Sequence, residues 1–375
     1  MIQTLAVESY RSLRQLVLPL SPLTVVTGAN GAGKSSLYRA LRLLADAALG
    51  GAVAALAREG GLASTLWAGP EGKVRKGRAV QGTVRTKPVA LRLGFGGDEF
   101  GYALDLGMPV PAETMFGLDP EFKREALWAG PVLRPATLLA DRTRNVVRAR
   151  DASGAWGAPG RIGLTDSMLS ELAEPEVLLL RDRMRSWRFY DQFRTDRDAP
   201  ARQSRIGTRT PVLGHDGADL PAALRTIVEQ GAAGELADAV TDAFPGSRVE
   251  VTSVEGRFGL RFHQHGLLRP LDAAELSDGT LRYLLWVAAL LTQRPPELLV
   301  LNEPETSLHP DLLPSLASLI TTAATRSQVV VVTHAARLVD ALPKATVLTL
   351  AKTDSTTTLD GQGLLDQPSW HWPER

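Results

Sequence analysis

The chain contains no cysteine. Disulfides, thiolate metal sites and cysteine nucleophiles are therefore excluded. It has almost no net charge: 42 basic residues face 41 acidic ones, leaving +1. No global field draws it to nucleic acid or to an anionic membrane, so any such binding needs a local patch. Long apolar runs are missing too. A membrane-spanning helix needs roughly 20 apolar residues, and the longest candidates, Leu281 to Leu291 and Leu298 to Leu301, fall short. No membrane partner is expected. Low-complexity tracts and internal repeats are absent, because the 34 Gly and 24 Pro are scattered. The opening residues carry Glu8, Arg11 and Arg14 inside their apolar pattern, unlike a secretory or transit leader, so the expected location is the cytoplasm. Neither a Ser-His-Asp nor a His-Glu-x-x-His arrangement appears. His263-Gln264-His265 puts two histidines on one face of a strand, but without a third ligand nearby in sequence no metal site is expected there.

What is present suffices for one large core or two coupled ones: 375 residues, 44% apolar. Residues 2–8 and 13–18 read as a hairpin. Leu23 to Thr27 is a β-branched run ending at Gly28, a buried strand, and Lys34 to Leu49 has helical spacing. The middle is less regular. Hairpins are expected over 89–107 and 249–264, strands near 122–128 and 145–150, and helices over 175–188, 219–230 and 232–244. Ser277 caps a helix to about Leu291. Strand 298–301, helix 311–324, strand 328–333, a short helix near Ala335 and strand 346–350 follow. Such alternation predicts parallel strands with helices packed on them.

The sharpest motif is Gly28-Ala29-Asn30-Gly31-Ala32-Gly33-Lys34-Ser35, a full match to G-x-x-x-x-G-K-[ST] between a strand and a helix. Gly28, Gly31 and Gly33 let the backbone curl so that N–H groups, including that of Asn30, face phosphate oxygens. The helix start adds its positive end. Lys34 reaches the β- and γ-phosphates of ATP, Ser35 offers a hydroxyl to Mg²⁺, and Ser36 is a further donor. The competing reading is an ordinary glycine-rich turn.

Late in the chain come Leu276-Ser277-Asp278-Gly279-Thr280, then Leu298 through Asn302-Glu303-Pro304, then Ser307-Leu308-His309-Pro310, then Thr333-His334. In this order they resemble the ABC signature, Walker B strand, D-loop and switch histidine. The chain resembles the RecF/SMC-like branch of ABC ATPases. More narrowly, it resembles bacterial predicted ATPases of the AAA family related to the OLD proteins. The likeness covers residues 1–50 and 265–350. It implies an α/β fold: an ABC-type P-loop NTPase with a mainly parallel core sheet, an antiparallel β subdomain and a mixed α/β insertion. The implied division is a discontinuous core, 1–50 and 246–360, an insertion, 51–245, and a tail, 361–375.

The resemblance further implies that Glu303 orients or deprotonates water at the γ-phosphate and that His334 contacts that phosphate. Ser277, Asp278 and Gly279 would bind ATP held by a second copy, making a homodimer around ATP. Arg11 resembles an N-terminal arginine that touches nucleotide. Each has a plainer alternative: a helix cap for Ser277, a strand-ending turn for Asn302 to Pro304, a core histidine, a surface arginine. One departure stands out. The family usually has Asp before the glutamate, and here it is Asn302, which can serve the Mg²⁺ hydration shell but brings no charge. DNA and a separately encoded effector are candidate partners. A basic cluster, Lys73, Arg75, Lys76, Arg78, Arg85 and Lys87, and nine Arg among Trp187, Phe189, Tyr190 and Phe193 between 181 and 209 would suit nucleic acid. The favoured reading is a solvated face with its aromatics turned inward. Two rivals to the ATPase are a nucleotide-gated module with little hydrolysis, suggested by Asn302, and a transporter subunit. The long gap between Lys34 and Ser277 argues against the transporter.

Overall fold

A computed structural model of the chain describes residues 1–69, 90–151, 153–191, 193–353, 355–363 and 366–375. The basic cluster from Lys73 to Lys87 lies outside them. The fold is mixed α/β with several sheets. Two compact units form. The first comprises Met1–Ser21, Val26–Trp187 and Leu348–Arg375, and the second Pro22–Val25 and Arg188–Val347.

The first unit is built on an eight-stranded antiparallel sheet. Its strands lie in the spatial order Leu13–Pro19, Ile2–Tyr10, Leu91–Gly97, Phe100–Gly107, Glu121–Ala129, Leu138–Thr143, Val146–Ala149, Gly160–Arg161. The expected hairpin at residues 2–18 is present, and the one expected over 89–107 is formed by Leu91–Gly97 and Phe100–Gly107. Inside the sheet the Arg142 and Glu125 side chains, both without solvent exposure, meet at 2.6 Å. Such a pair is tolerable only when every lone pair is served. Glu125 also accepts from Ser167 Oγ, Tyr102 Oη and the Met168 N–H. The last residues are docked on this sheet. Trp370 packs tilted against Trp128, ring centroids 5.7 Å apart, and the Arg375 guanidinium donates to both oxygens of Asp105. Gly94 leaves the room, since a Cβ there would sit 2.6 Å from Trp370.

The helix Lys34–Ala48 belongs to the first unit. It buries Leu37, Leu41, Leu44 and Ala48 along one stripe, as its spacing requires.

In the second unit Arg188–Tyr190, Leu298–Asn302 and Gln328–Val332 pair in parallel. Leu298 to Leu301 and Val329 to Val332 are all buried, the mark of strands covered on both faces. The helix Asp278–Leu290 is buried from Leu281 onward, so it packs all round rather than along a stripe. Leu313–Ala323 and Ala336–Asp340 complete the alternation. A smaller sheet pairs Arg248–Val254 with Arg257–His263, flanked by Arg205–Ile206 and Leu271–Asp272. Trp187, Phe189, Tyr190 and Phe193 are all buried, which removes them as stacking platforms for bases.

Candidate functional site

The phosphate loop closes the strand Leu23–Gly28 and opens the helix Lys34–Ala48. Two of its glycines are obligatory. Gly28 has φ +142°, and a Cβ there would lie 2.2 Å from the Leu350 carbonyl oxygen. Gly33, at φ +109°, would drive a Cβ to 2.3 Å from Thr357 Oγ1. Thr357 is a fastener that sequence reading missed. Its hydroxyl donates to the Ala32 carbonyl at 2.8 Å and meets Ser12 Oγ at 2.9 Å. Its strand, Thr356–Leu359, is short and its partner residues lie at the far end of the chain, so no local pattern marks it.

Lys34 is buried, and its ammonium donates to the carbonyls of Gly28 at 2.6 Å and Ala29 at 3.1 Å. That places a cation inside the loop. Asn30 and Gly31 are exposed at its tip, Ser35 is exposed in the first helical turn and Ser36 is half-buried. The first turn carries no acidic residue, so nothing offsets the helix's positive end. Arg11 is engaged elsewhere. Its guanidinium donates to Glu59 Oε2 at 2.6 and 3.1 Å, beside the Tyr10 hydroxyl, which binds the same carboxylate. Burial first, then that hydrogen bond, raises the Tyr10 pKa well above the ordinary phenol value.

The second unit holds the carboxylates. Glu303 follows the buried strand Leu298–Asn302, and its N–H continues the ladder to the Val332 carbonyl at 2.7 Å. Its backbone is left-handed, φ +46°, a conformation that costs a non-glycine residue roughly 1–3 kcal/mol. His334 follows the neighbouring strand. Its Nδ1 lies 3.4 Å from Glu303 Oε1 and 3.5 Å from Glu305 Oε1, so the ring stands between two carboxylates. Glu305 is a second residue that motif reading missed. It is buried, and Oε1 accepts from Thr333 Oγ1 at 2.5 Å and from the His334 N–H at 3.3 Å.

Asn302 donates from Nδ2 to Asp191 Oδ1 at 2.8 Å, while its own Oδ1 is buried without a hydrogen-bond partner among the described residues. Asp191 also escaped sequence analysis. The strand before it, Arg188–Tyr190, is three residues long and comes in sequence directly after the helix Pro175–Ser186, which masks it in the pattern.

Ser277, Asp278 and Gly279 start the helix Asp278–Leu290. Ser277 Oγ accepts from the Thr280 N–H at 3.1 Å, so the cap expected from sequence is real. Two arginines hold this helix start. Arg202 donates to Asp278 Oδ1 and to the Leu276 carbonyl, each at 2.7 Å. Arg282, whose burial lowers its pKa, donates to the carbonyls of Thr306 and Phe193, each at 2.8 Å. Gly279 faces the Ser307 carbonyl, which a Cβ would approach to 3.3 Å. The helix start is thus fixed to the loop that follows Glu303. The aligned His263 meets the cross-strand Glu250 at 2.6 Å.

Comparisons with known proteins place the chain in a family and give its fold. A family described as "AAA domain, putative AbiEii toxin, Type IV TA system" matches residues 23–340. An OLD nuclease from Thermus scotoductus is 46% identical over 44 residues, which span 12% of this chain and only 8% of that protein. Among solved structures, an SMC head bound to the C-terminal winged-helix domain of ScpA aligns at TM-score 0.50 and 14% identity, over 97% of this chain and 98% of that one. An SMC head with an extended coiled coil, bound to the C-terminal domain of ScpA derived from Pyrococcus furiosus, aligns at TM-score 0.52 and 12% identity, over 96% and 95%. At such identities these two show a shared fold.

Proposed function

Since the chain belongs to the AAA-domain family matched over residues 23–340, we propose that it hydrolyses ATP with Mg²⁺ and that ATP pairs two copies head to tail. The observation that carries this is the phosphate loop, with a buried ammonium inside glycine-shaped backbone at a helix start free of acidic residues. Lys34 binds the β- and γ-phosphates, and the N–H groups of the loop share the remaining charge. Mg²⁺ fits the residues present: Ser35 offers an exposed hydroxyl, and Asn302 Oδ1 is buried without a partner among the described residues. When bound, the ion offsets charge building on the phosphate oxygens. Glu303 takes the proton of the attacking water, and His334 holds a γ-phosphate oxygen. Ser277 and the N–H groups of Asp278 and Gly279 bind the ATP of the second copy. Arg11 reaches nucleotide only by leaving Glu59.

The physiological role we infer is DNA maintenance or anti-phage defence in the cytoplasm, with DNA as a partner or an effector encoded separately. It is supported by the resemblance to RecF, SMC and OLD proteins and by the family description. A second reading, a nucleotide-gated binding module with little turnover, is favoured by Asn302, which brings no charge where the family has Asp.

Phosphate release with Mg²⁺ tests the chemistry. Wild type is expected to turn over, and Lys34→Ala to release nothing. Glu303→Gln is expected to keep ATP binding and lose turnover by about 10²–10⁴-fold. Turnover unchanged in Glu303→Gln would remove Glu303 as the base. Tight binding with no turnover in wild type would establish the second reading.

A further inference from the structure

Asn302 leaves the proposed Mg²⁺ site one charge short, and the strand beside it supplies one. Arg188–Tyr190 runs parallel to Leu298–Asn302 with Tyr190 opposite Leu301. The next residue on each strand is therefore brought side by side: Asp191 and Asn302. They are joined by the 2.8 Å hydrogen bond from Asn302 Nδ2 to Asp191 Oδ1. Donation fixes the amide plane. With the nitrogen committed to Asp191, the amide oxygen must face the other way, and that oxygen is buried and unpartnered among the described residues. A buried acceptor without a donor calls for one. Water in a hydrated cation's shell is such a donor, and the neighbouring carboxylate supplies the negative charge that would hold the cation.

We propose that Asp191 replaces, from the adjacent strand, the carboxylate that Asn302 lacks, so that the pair acts on Mg²⁺ as one unit. Asn302 presents its oxygen to the metal's water, and Asp191 supplies the charge and fixes the amide's orientation. Among the described residues no group of three or more His, Asp or Glu side chains could cage a metal. None is required, since Mg²⁺ beside nucleotide phosphates is held by one or two carboxylates plus the phosphates themselves. A plain strand-end hydrogen bond is the competing account. It would leave metal affinity independent of Asp191.

This inference rests on the ATP-site reading, and the test separates the two. The full chain is titrated with Mn²⁺ at saturating ATP, with protein-bound Mn²⁺ read by electron paramagnetic resonance. ATP binding is measured separately in EDTA. Asp191→Asn keeps an acceptor for the Asn302 amide, so it preserves the local shape. It is expected to weaken Mn²⁺ binding by roughly 10–100-fold while leaving ATP binding in EDTA unchanged. The swapped double variant, Asp191→Asn with Asn302→Asp, retains the hydrogen bond with donor and acceptor exchanged and returns the charge to strand 298–302. It is expected to recover near-wild-type Mn²⁺ affinity. Wild-type Mn²⁺ affinity in Asp191→Asn would overturn the proposal, as would a double variant no tighter than the single one. In either case ATP binding by the wild type leaves the ATP-site reading standing. Failure of the wild type to bind ATP in EDTA or with Mn²⁺ would end both.

Discussion

At the scale of single residues, the proposed chemistry asks how an exposed imidazole is held. His334 is half exposed, yet its backbone N–H and the adjacent Thr333 hydroxyl are both tied to buried Glu305. Glu305 touches no substrate in this scheme and acts by positioning. Glu305→Gln removes the charge beside His334 and turns one of the two carboxylate acceptors into a donor. Misplacing a reacting group by about 1 Å can cost up to about 10²-fold. The expected result is a fall in kcat approaching that size with little change in KM for MgATP. Steady-state kinetics of Glu305→Gln beside Thr333→Val checks this. A KM effect with kcat intact would show that Glu305 serves binding instead. The acidic residue next to Pro304 gave no such hint in sequence, because only the parallel pairing of two distant strands brings it to Thr333.

At the scale of elements, legibility followed local signal. Leu298 to Leu301, Val329 to Val332 and the Ser277 cap were readable because each carries its own pattern: continuous β-branched or leucine runs, or a capping hydroxyl before an apolar helix. Arg188–Tyr190 and Thr356–Leu359 were not readable, since strands of three or four residues lack a period and gain stability only from partners. The three side chains at the candidate site that sequence reading missed, Asp191, Glu305 and Thr357, all depend on pairing between segments far apart in sequence. The element leading into Ser277 has its own titratable clasp. Arg269 donates to both Glu275 oxygens, and the Asp272 N–H adds a third bond in a capping box. The Arg269 hydrogen bonds first, then the Asp272 N–H, hold the Glu275 pKa down to about 2, from an ordinary 4.5. A depressed folded-state pKa stabilises the fold above the unfolded value, and that contribution is lost as pH falls from 4.5 towards 2. Glu275→Gln is therefore expected to melt below wild type at neutral pH, with the gap closing as pH drops through that window. Thermal melts along a pH series check it, and a gap that widens in acid would contradict it.

At the scale of the whole molecule, the proposal joins two anion-accepting helix starts, one after Gly33 and one after Ser277, through nucleotide shared by two copies. No helix among the described residues is long and apolar enough to cross a membrane. A twofold pairing uses the same surface twice, so one γ-phosphate bridge implies a second. Removal of that phosphate by Glu303 would open both. Blocking hydrolysis should therefore hold the pair closed, and ADP should not form it. Ser277→Arg would put bulk and charge into the joint while leaving Lys34 free to bind ATP. The decisive measurement is the mass of the Glu303→Gln protein by multi-angle light scattering with ATP, with ADP and without nucleotide. A dimer with ATP alone, abolished by adding Ser277→Arg, is the expected result. The same mass in all three conditions would contradict ATP-driven pairing.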